Sequence, residues 1–522
     1  MLQVKHVTIT HKKDLRPLVK DLSFTLNPGD KAAIIGEEGN GKSTILKLIF
    51  QESLVEEYVE YTGEIIRNHE RPGYLAQELS PEEKARSVYE FLAEEPAFYD
   101  MDAKELARLA QRLRLPMELL YEQQTMGTLS GGERIKVQLV RVLCAHPTVF
   151  LLDEPSNDID IETLEWLEGF IRESREPVLY ISHDEVLLEN TANMVIHLEQ
   201  VKRKTEPRYT VLRMDYRSYV EQRSRGLMRQ EQLAKKERSE YEKQQERFQK
   251  IQQRVEHQQN AISRQDPHGG QLLKKKMHAV KALEHRFERE AAERTEIPDT
   301  EDAIFFKLAA EAELPRSKRV LDLYLEELTV SGQNGRILAR NIELRVTGPE
   351  KICVVGRNGV GKTTLLKKIA AILLPRTDIR AAYMPQNYEE LLELDRTPVE
   401  FLCESGDKEE ATRIRTYLGS MKYTADEMSH PVAELSGGQK SKLLLLKMSL
   451  SGANVLILDE VTRNFSPLSN PVIRQHLRDF GGAIISISHD RKYIREVCDT
   501  VYELDEEGLL KRDFLIEIGT EL

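Results

Sequence analysis

Apolar or small residues recur every seventh position along the otherwise polar stretch between residues 217 and 262. They are Leu227, Ala234, Tyr241, Phe248, Val255 and Ile262. Because two helical turns take about seven residues, these side chains lie on one face of a helix. A helix over the whole stretch would be about 70 Å long.

A second helical stripe follows a cluster of turn-forming residues at 266–270. Its members are Leu273, Met277, Val280, Leu283, Phe287 and Ala291. Two long helices joined by a short loop predict an antiparallel hairpin, in which each helix covers the narrow apolar seam of the other. We expect this hairpin to project from a compact body.

Short apolar runs outside the hairpin predict buried strands, each followed by polar residues. The first half contains such runs at 32–35, 149–152 and 178–181, and the second half at 352–355, 455–458 and 484–488. The same order in both halves indicates an internal repeat of α/β class on either side of the hairpin.

The first run in each half leads into the P-loop pattern G-x-x-x-x-G-K-[ST]. Its glycines let backbone amides curl around phosphate oxygens, its lysine would reach the terminal phosphates and its hydroxyl would bind Mg²⁺. Acidic Glu37 and Glu38 interrupt the first loop, and we expect them to point outward. The candidate phosphate-binding residues are Gly36, Gly39, Gly41, Lys42, Ser43 and Thr44, and Gly356, Gly359, Gly361, Lys362, Thr363 and Thr364.

Carboxylates, a glutamine and a histidine accompany each P-loop. The aspartate can hold Mg²⁺, and the glutamate can polarise the water that attacks the phosphate. The glutamine could sense Mg²⁺ and water, and the histidine could touch the terminal phosphate. The pairs from the two halves are Asp153 and Asp459, Glu154 and Glu460, Gln77 and Gln386, and His183 and His489.

A serine and two glycines open a predicted helix in each half, within LSGGE and LSGGQ. They are Ser130, Gly131 and Gly132, and Ser436, Gly437 and Gly438. A hydroxyl and flexible amides at a helix start form a second phosphate-binding device. A single glycine-rich turn can arise by chance, but the ordered set in both halves cannot reasonably do so.

With these motifs in this order, the chain resembles the ATP-binding cassette ATPases. The resemblance implies two cassettes packed head to tail, with each ATP and its Mg²⁺ between one P-loop and the opposite signature serine and glycines. ATP binding would close the pair and hydrolysis would release it. Residues 461–466 depart from the family pattern, which leaves the activity of the second site open. His11 is the candidate for stacking on adenine in the first cassette, and the second offers none.

Charge separates the hairpin from the rest of the chain, whose formal net charge is −12. Residues 217–296 contain 19 Lys and Arg against 13 Asp and Glu, and residues 247–281 contain eight against two. This basic end predicts contact with a polyanionic partner, although a solvated charged face without a partner is the alternative. The candidate contact residues are Arg264, His268, Lys274, Lys275 and Lys276.

Two cassettes and a long charged linker resemble the ABC-F proteins, soluble ATPases that bind ribosomes. The expected domains are cassettes at 1–205 and 321–522, with a linker at 206–320. The resemblance implies contacts with ribosomal RNA and tRNA near the tRNA exit site. The short span from Gln77 to Ser130 favours members that protect ribosomes from peptidyl-transferase-centre antibiotics. A housekeeping translation factor, the ATPase subunit of a membrane transporter, and a chromosome or repair ATPase are the alternatives.

Composition places the chain in a reducing cytoplasm. No run approaches the roughly 18 apolar residues that a membrane helix needs. The first residues lack the basic stretch followed by an apolar stretch that is typical of a signal peptide. Four scattered cysteines indicate neither a disulfide framework nor a zinc site. We therefore expect a cytoplasmic protein, monomeric, with its two cassettes paired within the chain.

Overall fold

Two structural repeats make up most of the protein. The structure, a computed structural model, describes residues 1–201, 206–261, 313–329 and 337–512. Its contacts form two compact units, one from Met1–Arg217 and Glu301–Leu522 and the other from Ser218–Thr300. The first unit holds both repeats, called here the first repeat (residues 1–212) and the second repeat (residues 313–512).

The first repeat contains two sheets. Its strands are β1 (Leu2–His11), β2 (Pro17–Leu26), β3 (Lys31–Ile35), β4 (Val59–Ile66), β5 (Pro72–Leu75), β6 (Val149–Asp153), β7 (Val178–Ile181), β8 (Met194–Val201) and β9 (Glu206–Leu212). An antiparallel sheet has the order β2-β1-β4, and a second sheet has the order β5-β6-β7-β3-β8-β9. The second sheet is parallel except at β8 and β9. Its last strand lies beyond the domain boundary predicted at residue 205.

The second repeat is built in the same way. Its strands are β10 (Arg319–Thr329), β11 (Ile337–Thr347), β12 (Lys351–Val355), β13 (Ala381–Met384), β14 (Val455–Asp459), β15 (Ala483–Ile487), β16 (Thr500–Leu504) and β17 (Leu509–Arg512). β10 and β11 pair antiparallel, and the main sheet has the order β13-β14-β15-β12-β16-β17. Because each strand has its counterpart at the same place in the first repeat, the predicted internal repeat is confirmed.

Helices lie between the strands of each repeat. In the first repeat they are α1 (Lys42–Phe50), α2 (Pro81–Ala85), α3 (Val88–Ala93), α4 (Pro96–Asp100), α5 (Ala103–Arg112), α6 (Gly131–Cys144), α7 (Ile161–Glu173) and α8 (Glu185–Thr191). After α9 (Tyr216–Ala261), those of the second repeat are α10 (Lys362–Leu373), α11 (Pro398–Leu402), α12 (Lys408–Ser420), α13 (Gly437–Leu450), α14 (Asn470–Asp479) and α15 (Arg491–Val497). Short 3₁₀ turns lie at Glu52–Leu54, Glu118–Tyr121, Met126–Thr128, Tyr388–Glu390 and Val432–Glu434.

The central strands are buried along their whole length. Every residue of β3, β6, β12 and β14 is buried, as expected for parallel strands that are covered on both faces. Polar residues that follow these strands therefore meet at the carboxyl edge of each sheet, which is where open α/β sheets bind ligands.

A 46-residue helix, α9, forms the described part of the predicted hairpin. Pairs four residues apart, such as Arg225–Glu221 at 3.0 Å and Lys235–Glu231 at 2.6 Å, join opposite charges along it. Ala234 and Phe248 of the predicted stripe are buried. The first helix of the hairpin is thus confirmed. The turn at 266–270, the second stripe and the candidate RNA contacts Arg264, His268, Lys274, Lys275 and Lys276 lie outside the described residues.

Candidate functional site

Each P-loop leaves the carboxyl end of a central strand, β3 or β12, through a glycine with φ of 144°. A Cβ atom at Gly36 would lie 2.2 Å from the carbonyl oxygen of Leu198, and one at Gly356 would lie 2.5 Å from that of Leu504. Both positions therefore require glycine, because the neighbouring strand comes too close for a side chain. The close approach fixes where each P-loop begins.

The P-loop lysine of each repeat is buried and turns back onto its own loop. Lys42 Nζ donates to the carbonyl oxygens of Gly36 and Glu37 at 2.8 and 3.1 Å. Lys362 Nζ makes the equivalent bonds at 2.7 and 3.0 Å. Each ammonium group is held at the start of a helix, α1 or α10, where positive charge and backbone amides favour an anion.

Site 1 is defined here by the first P-loop with Gln77, Asp153, Glu154 and His183. Ser43 Oγ donates to Asp153 Oδ1 at 2.8 Å. Gln77 Nε2 donates to Glu154 Oε2 at 2.8 Å, and His183 Nε2 lies 3.3 Å from Glu154 Oε1. The structure thus brings together five residues that are spread over 141 positions of the sequence.

Site 2 is defined by the second P-loop with Gln386, Asp459, Glu460 and His489. Thr363 hydrogen-bonds to Asp459, as Ser43 does to Asp153. His489 lies close to Glu460, with Nε2 3.7 Å from Oε1. Gln386, however, donates to Asp158 Oδ1 of the first repeat at 3.4 Å, whereas its counterpart Gln77 contacts the catalytic candidate Glu154. The two sites are therefore not equivalent.

Each P-loop faces the signature of the other repeat. A cavity of about 1160 Å³ is lined by the second P-loop together with Ser130 and Gly131. A smaller cavity of about 270 Å³ is lined by Glu37, Glu38 and Gly39 of the first P-loop together with Ser436 and Gly438. This is the head-to-tail packing that the sequence motifs imply, and the larger cavity reaches the size of small-molecule sites.

Glu37 and Glu38, which were expected to point outward, both contact the second repeat, although Glu38 remains exposed to solvent. The Glu38 carboxylate accepts a hydrogen bond from the backbone amide of Gly438 in the second repeat. Glu37 Oε1 lies 3.5 Å from the Lys442 ammonium group of the same helix, α13. An amide at a helix start and a lysine one turn on both attract carboxylates, and the sequence alone could not show that they would lie there.

The loops after the two glutamates contact each other across the repeats. Arg463 joins Asp158 through two bonds, with N···O distances of 2.9 and 3.0 Å. Asn358 Nδ2 of the second P-loop donates to the Asp158 carbonyl at 2.5 Å. His183 Nδ1 donates to the carbonyl of Phe465 at 2.7 Å. The loop at 461–466 thus connects directly to site 1 through His183.

Two segments of the chain, residues 19–157 and 339–463, match the family described as ABC transporter, and together they cover about half of the sequence. The chain belongs to this family. Its two repeats are ABC cassettes, each with the P-loop, the signature and the Asp-Glu strand end, and the protein is an ATP-binding enzyme that hydrolyses ATP.

Similar proteins match over almost the whole chain. The "Putative ATP-binding protein YdiF" of Bacillus subtilis (strain 168) is 28% identical over 100% of this chain and 83% of its own length. The "Probable ATP-binding protein YheS" of Escherichia coli (strain K12) is 27% identical, over 94% and 77%. The "ABC transporter F family member 5" of Arabidopsis thaliana is 25% identical, over 95% and 73%.

Solved structures share the twin-cassette fold. An archaeal ABCE1, solved in complex with the ribosomal stalk protein aP1, aligns with a TM-score of 0.57 at 17% identity, covering 97% of this chain and 89% of that chain. The structure titled "RNase-L Inhibitor" aligns with a TM-score of 0.55 at 18% identity, covering 97% and 90%. At these identities the likeness concerns the fold alone.

The two candidate bases of the cassettes, Glu154 and Glu460, have pKa values that are shifted in opposite directions. Burial opposes ionisation of Glu154, but His183 and Lys42 outweigh it and lower the pKa of Glu154 to about 2. Burial and the neighbouring Asp459 instead raise the pKa of Glu460 to about 8. Burial and Lys362 lower the pKa of His489 to about 3, so this histidine is neutral and gives Glu460 little help.

The aspartates of the two sites behave alike. Burial raises the pKa of Asp153 to about 6, although Ser43 hydrogen-bonds to its carboxylate. Burial also raises the pKa of Asp459 to about 6, against the hydrogen bond from Thr363. A buried carboxylate that lacks full compensation is stabilised when a cation binds beside it.

A cluster of buried ion pairs joins the cassettes away from the P-loops. Its acidic residues lie in the first cassette and its basic residues in the second. Arg474 pairs with Glu185, and both side chains are at most 5% exposed. Lys492 also contacts Glu185, at 3.0 Å. The remaining members are Glu168, Asp184, Glu189 and Arg491. Charges this buried are stable only while paired, so the cluster favours continued contact between the cassettes on this side.

Two residues near site 1 were missed from the sequence. Tyr74 OH donates to Asp153 Oδ2 at 3.0 Å, and Asn157 Nδ2 donates to Glu154 Oε2 at 2.6 Å. Both lie within three residues of a motif position, so their place in the sequence could have identified them as candidate site residues. His11, the candidate for adenine stacking, lies 2.8 Å from Asp14 Oδ1 through Nδ1, and its role stays a prediction.

Proposed function

We propose that this protein is an ABC-F ATPase that binds the ribosome near the tRNA exit site and protects it from peptidyl-transferase-centre antibiotics. The observation that carries the proposal is a chain whose two cassettes each place a P-loop opposite the other's signature, with the 46-residue polar helix α9 between the cassettes in the sequence. Within the described residues every helix is too short or too polar to cross a membrane.

In the proposed mechanism each ATP lies between one P-loop and the opposite signature. Lys42 or Lys362 contacts the terminal phosphates, and the signature amides, such as those of Gly131 and Gly438, donate to them. Binding energy that exists only in the closed pair drives closure. The alignment of phosphates against fixed amides and lysine is the main source of catalysis in phosphoryl transfer.

Mg²⁺ fits the donors that are present. Ser43 and Asp153 in site 1, and Thr363 and Asp459 in site 2, would hold it, with Gln77 and Gln386 nearby. Asp459 Oδ2 is buried and has no hydrogen-bond partner in the described part of the chain, which suits a cation ligand. When bound, Mg²⁺ neutralises charge on the phosphates.

Glu154 and Glu460 would accept a proton from the attacking water. In site 1, Gln77 and Asn157 hold the Glu154 carboxylate through hydrogen bonds. His183 lies beside it and would contact the terminal phosphate, as would His489 in site 2. A base must be ionised to accept a proton, and the low pKa of Glu154 meets that requirement at neutral pH.

The RNA contact would come from the hairpin. Its basic end, with Arg264, His268, Lys274, Lys275 and Lys276, would lie against phosphates of ribosomal RNA or tRNA, with affinity that falls as salt rises. α9 alone spans about 70 Å. A helix this long and polar gains little from burial in a core, so a solvated or RNA-bound position suits it.

A housekeeping translation factor is the second candidate function. The solved structures with the same fold include "Model of ribosome-bound archaeal Pelota and ABCE1" and a ribosome recycling factor. Such a factor would use the same ATPase cycle and the same hairpin to settle tRNA. It differs from the first candidate in one measurable respect, since it would give no drug protection.

Ribosome co-sedimentation tests the shared part of both candidates. The variant with Glu154→Gln and Glu460→Gln should bind ATP without turnover, and should pellet with 70S ribosomes in ATP but not in ADP. Absence of ATP-dependent pelleting would contradict both candidates and favour a different partner.

Drug susceptibility then distinguishes the protective function from the translation-factor function. Expression in a susceptible bacterium should raise inhibitory concentrations of lincosamides, pleuromutilins or phenicols, and leave that of an aminoglycoside unchanged. A variant with Lys42→Ala and Lys362→Ala, which should not bind ATP and so should not close on the ribosome, serves as the inactive control. If no peptidyl-transferase drug is tolerated better at confirmed expression, the protective function is wrong and the translation factor is favoured.

A further inference from the structure

The two P-loops differ at four positions, two of which are adjacent. Glu37 and Glu38 in the first loop stand where Arg357 and Asn358 stand in the second. The flanking glycines are shared, and the first glycine of each loop has the same φ of 144°. The other two differences are Asn40 against Val360 and Ser43 against Thr363. Glu38 and Asn358 therefore stand at equivalent positions of the two loops, and their contacts can be compared directly.

Glu38 lies against the signature that belongs to site 1. Its carboxylate accepts the hydrogen bond of the Gly438 amide. A Cβ atom placed on Gly437 would lie 3.2 and 3.3 Å from the two carboxylate oxygens, so both face the first turn of α13. That turn carries backbone amides without a carbonyl partner inside the helix, among them the amide of Gly438, and it is the positive end of a 14-residue helix.

Asn358 behaves differently in site 2. Its amide nitrogen donates to the Asp158 carbonyl of the first cassette, and a Cβ atom on Gly131 would lie 3.3 Å from the same nitrogen. A neutral donor beside the signature adds no negative charge there. The cavity is about 1160 Å³ at site 2 and about 270 Å³ at site 1.

We propose that Glu38 is a specificity-determining residue of site 1, because its carboxylate holds the Gly438 amide in place of the terminal phosphate of ATP. The closed site then accepts ADP, and ATP must displace Glu38 before the signature can contact its third phosphate. The inference rests on the proposed nucleotide sites and is independent of the ribosome as partner.

The physical reason is competition between two anions for one donor. A carboxylate and a phosphate cannot both accept a hydrogen bond from the single N–H of Gly438. Their like charges also repel when both groups lie close to that amide. ADP carries no third phosphate, so it neither competes with Glu38 for the Gly438 amide nor places a third phosphate beside the Glu38 carboxylate. A hydrogen bond to a charged group contributes enough to change an affinity by about tenfold or more.

The test isolates site 1 in the full-length protein. Lys362→Ala empties site 2 and Glu154→Gln stops turnover, and titration calorimetry then gives the ATP and ADP dissociation constants. Glu38→Asn should raise the affinity for ATP relative to ADP by about tenfold or more. Glu434→Gln, which removes a carboxylate from the same cavity, should change that ratio less than about twofold, since its partner is His430 at 3.6 Å.

The reciprocal substitution in site 2 keeps the proposal testable if the Glu38→Asn variant does not fold. With site 1 emptied by Lys42→Ala and turnover stopped by Glu460→Gln, Asn358→Glu should shift site 2 toward ADP by a similar factor. An unchanged ratio in either Glu38→Asn or Asn358→Glu, or an equal shift in Glu434→Gln, overturns the proposal. If Lys42→Ala does not abolish binding at site 1, the site assignment itself is wrong, and this inference falls with it.

Discussion

The pH dependence of hydrolysis should differ between the two sites, and single variants can separate them. Glu460→Gln leaves site 1 as the working site, and Glu154→Gln leaves site 2. The pKa of Glu154 is lowered to about 2, and that of Glu460 is raised to about 8. A general base works only while ionised, so the two variants should follow different profiles.

The magnitude follows from the fraction of each glutamate that is ionised. At pH 7 nearly all of Glu154 but only about a tenth of Glu460 carries charge, and at pH 9 about nine-tenths of Glu460 does. The site 2 rate should therefore rise about tenfold from pH 7 to pH 9. The site 1 rate should change less than about twofold. His489 does not add to this rise, because its pKa is lowered to about 3.

Phosphate release at saturating Mg·ATP is the assay, with the double Glu→Gln variant as the blank and circular dichroism at each pH as the folding control. Burial also lowers the pKa of Lys362, but loss of its charge would slow site 2 rather than speed it. Parallel profiles for the two single variants would refute the assignment of Glu154 and Glu460 as bases in different charge states.

Three further outcomes are expected. Arg474→Met leaves Glu185 buried with one partner fewer and should destabilise the paired cassettes by about 3 kcal/mol, measured by thermal unfolding. Gly226→Ala in α9, where a Cβ meets nothing within 4 Å, should stabilise the helix by about 1 kcal/mol, measured by helix content on heating. Replacing Lys274, Lys275 and Lys276 with Glu should weaken ribosome binding and flatten its salt dependence, measured by co-sedimentation, without loss of the ATPase activity of the free protein.

Each of these has a control. Arg478→Met lies on the same helix as Arg474 but is 56% exposed, and an equal loss in both would argue against the buried pair. A Gly226→Ala variant no more helical than the parent would mean that the α9 backbone is not helical there. Unchanged ribosome affinity and salt slope in the lysine variant would favour a hairpin face that is merely solvated.

Local chemistry explains which features the sequence could predict. A buried strand that ends in a P-loop, or in Asp153 and Glu154, is specified by neighbouring residues. For that reason β3, β6 and β7, their counterparts in the second repeat, the helix α6 and the order of motifs were predicted. The signature helices were also local, because Ser130 and Ser436 cap them through a hydrogen bond to the third residue.

Contacts between the cassettes could not be predicted in the same way. Glu38 and Gly438 are 400 residues apart, and the direction of a P-loop side chain depends on what the other cassette places opposite it. The same holds for Gln386, which by analogy with Gln77 should contact Glu460 but reaches Asp158 instead. Sequence motifs fix which residues line a site, and packing decides which neighbour each one meets.

The two cassettes differ from each other at the interface between them. The differences have opposite effects at site 1 and at site 2. Site 1 has an ionised base but a carboxylate on the signature amide that a third phosphate would use. Site 2 has the larger cavity and, in the described part of the chain, no carboxylate bound to its signature amides, but the pKa of its proposed base is raised. Asp158 and Arg463 connect the two ends through a bidentate pair. A change in nucleotide at one site therefore has a direct physical route to the other, through residues whose partners lie across the cassettes.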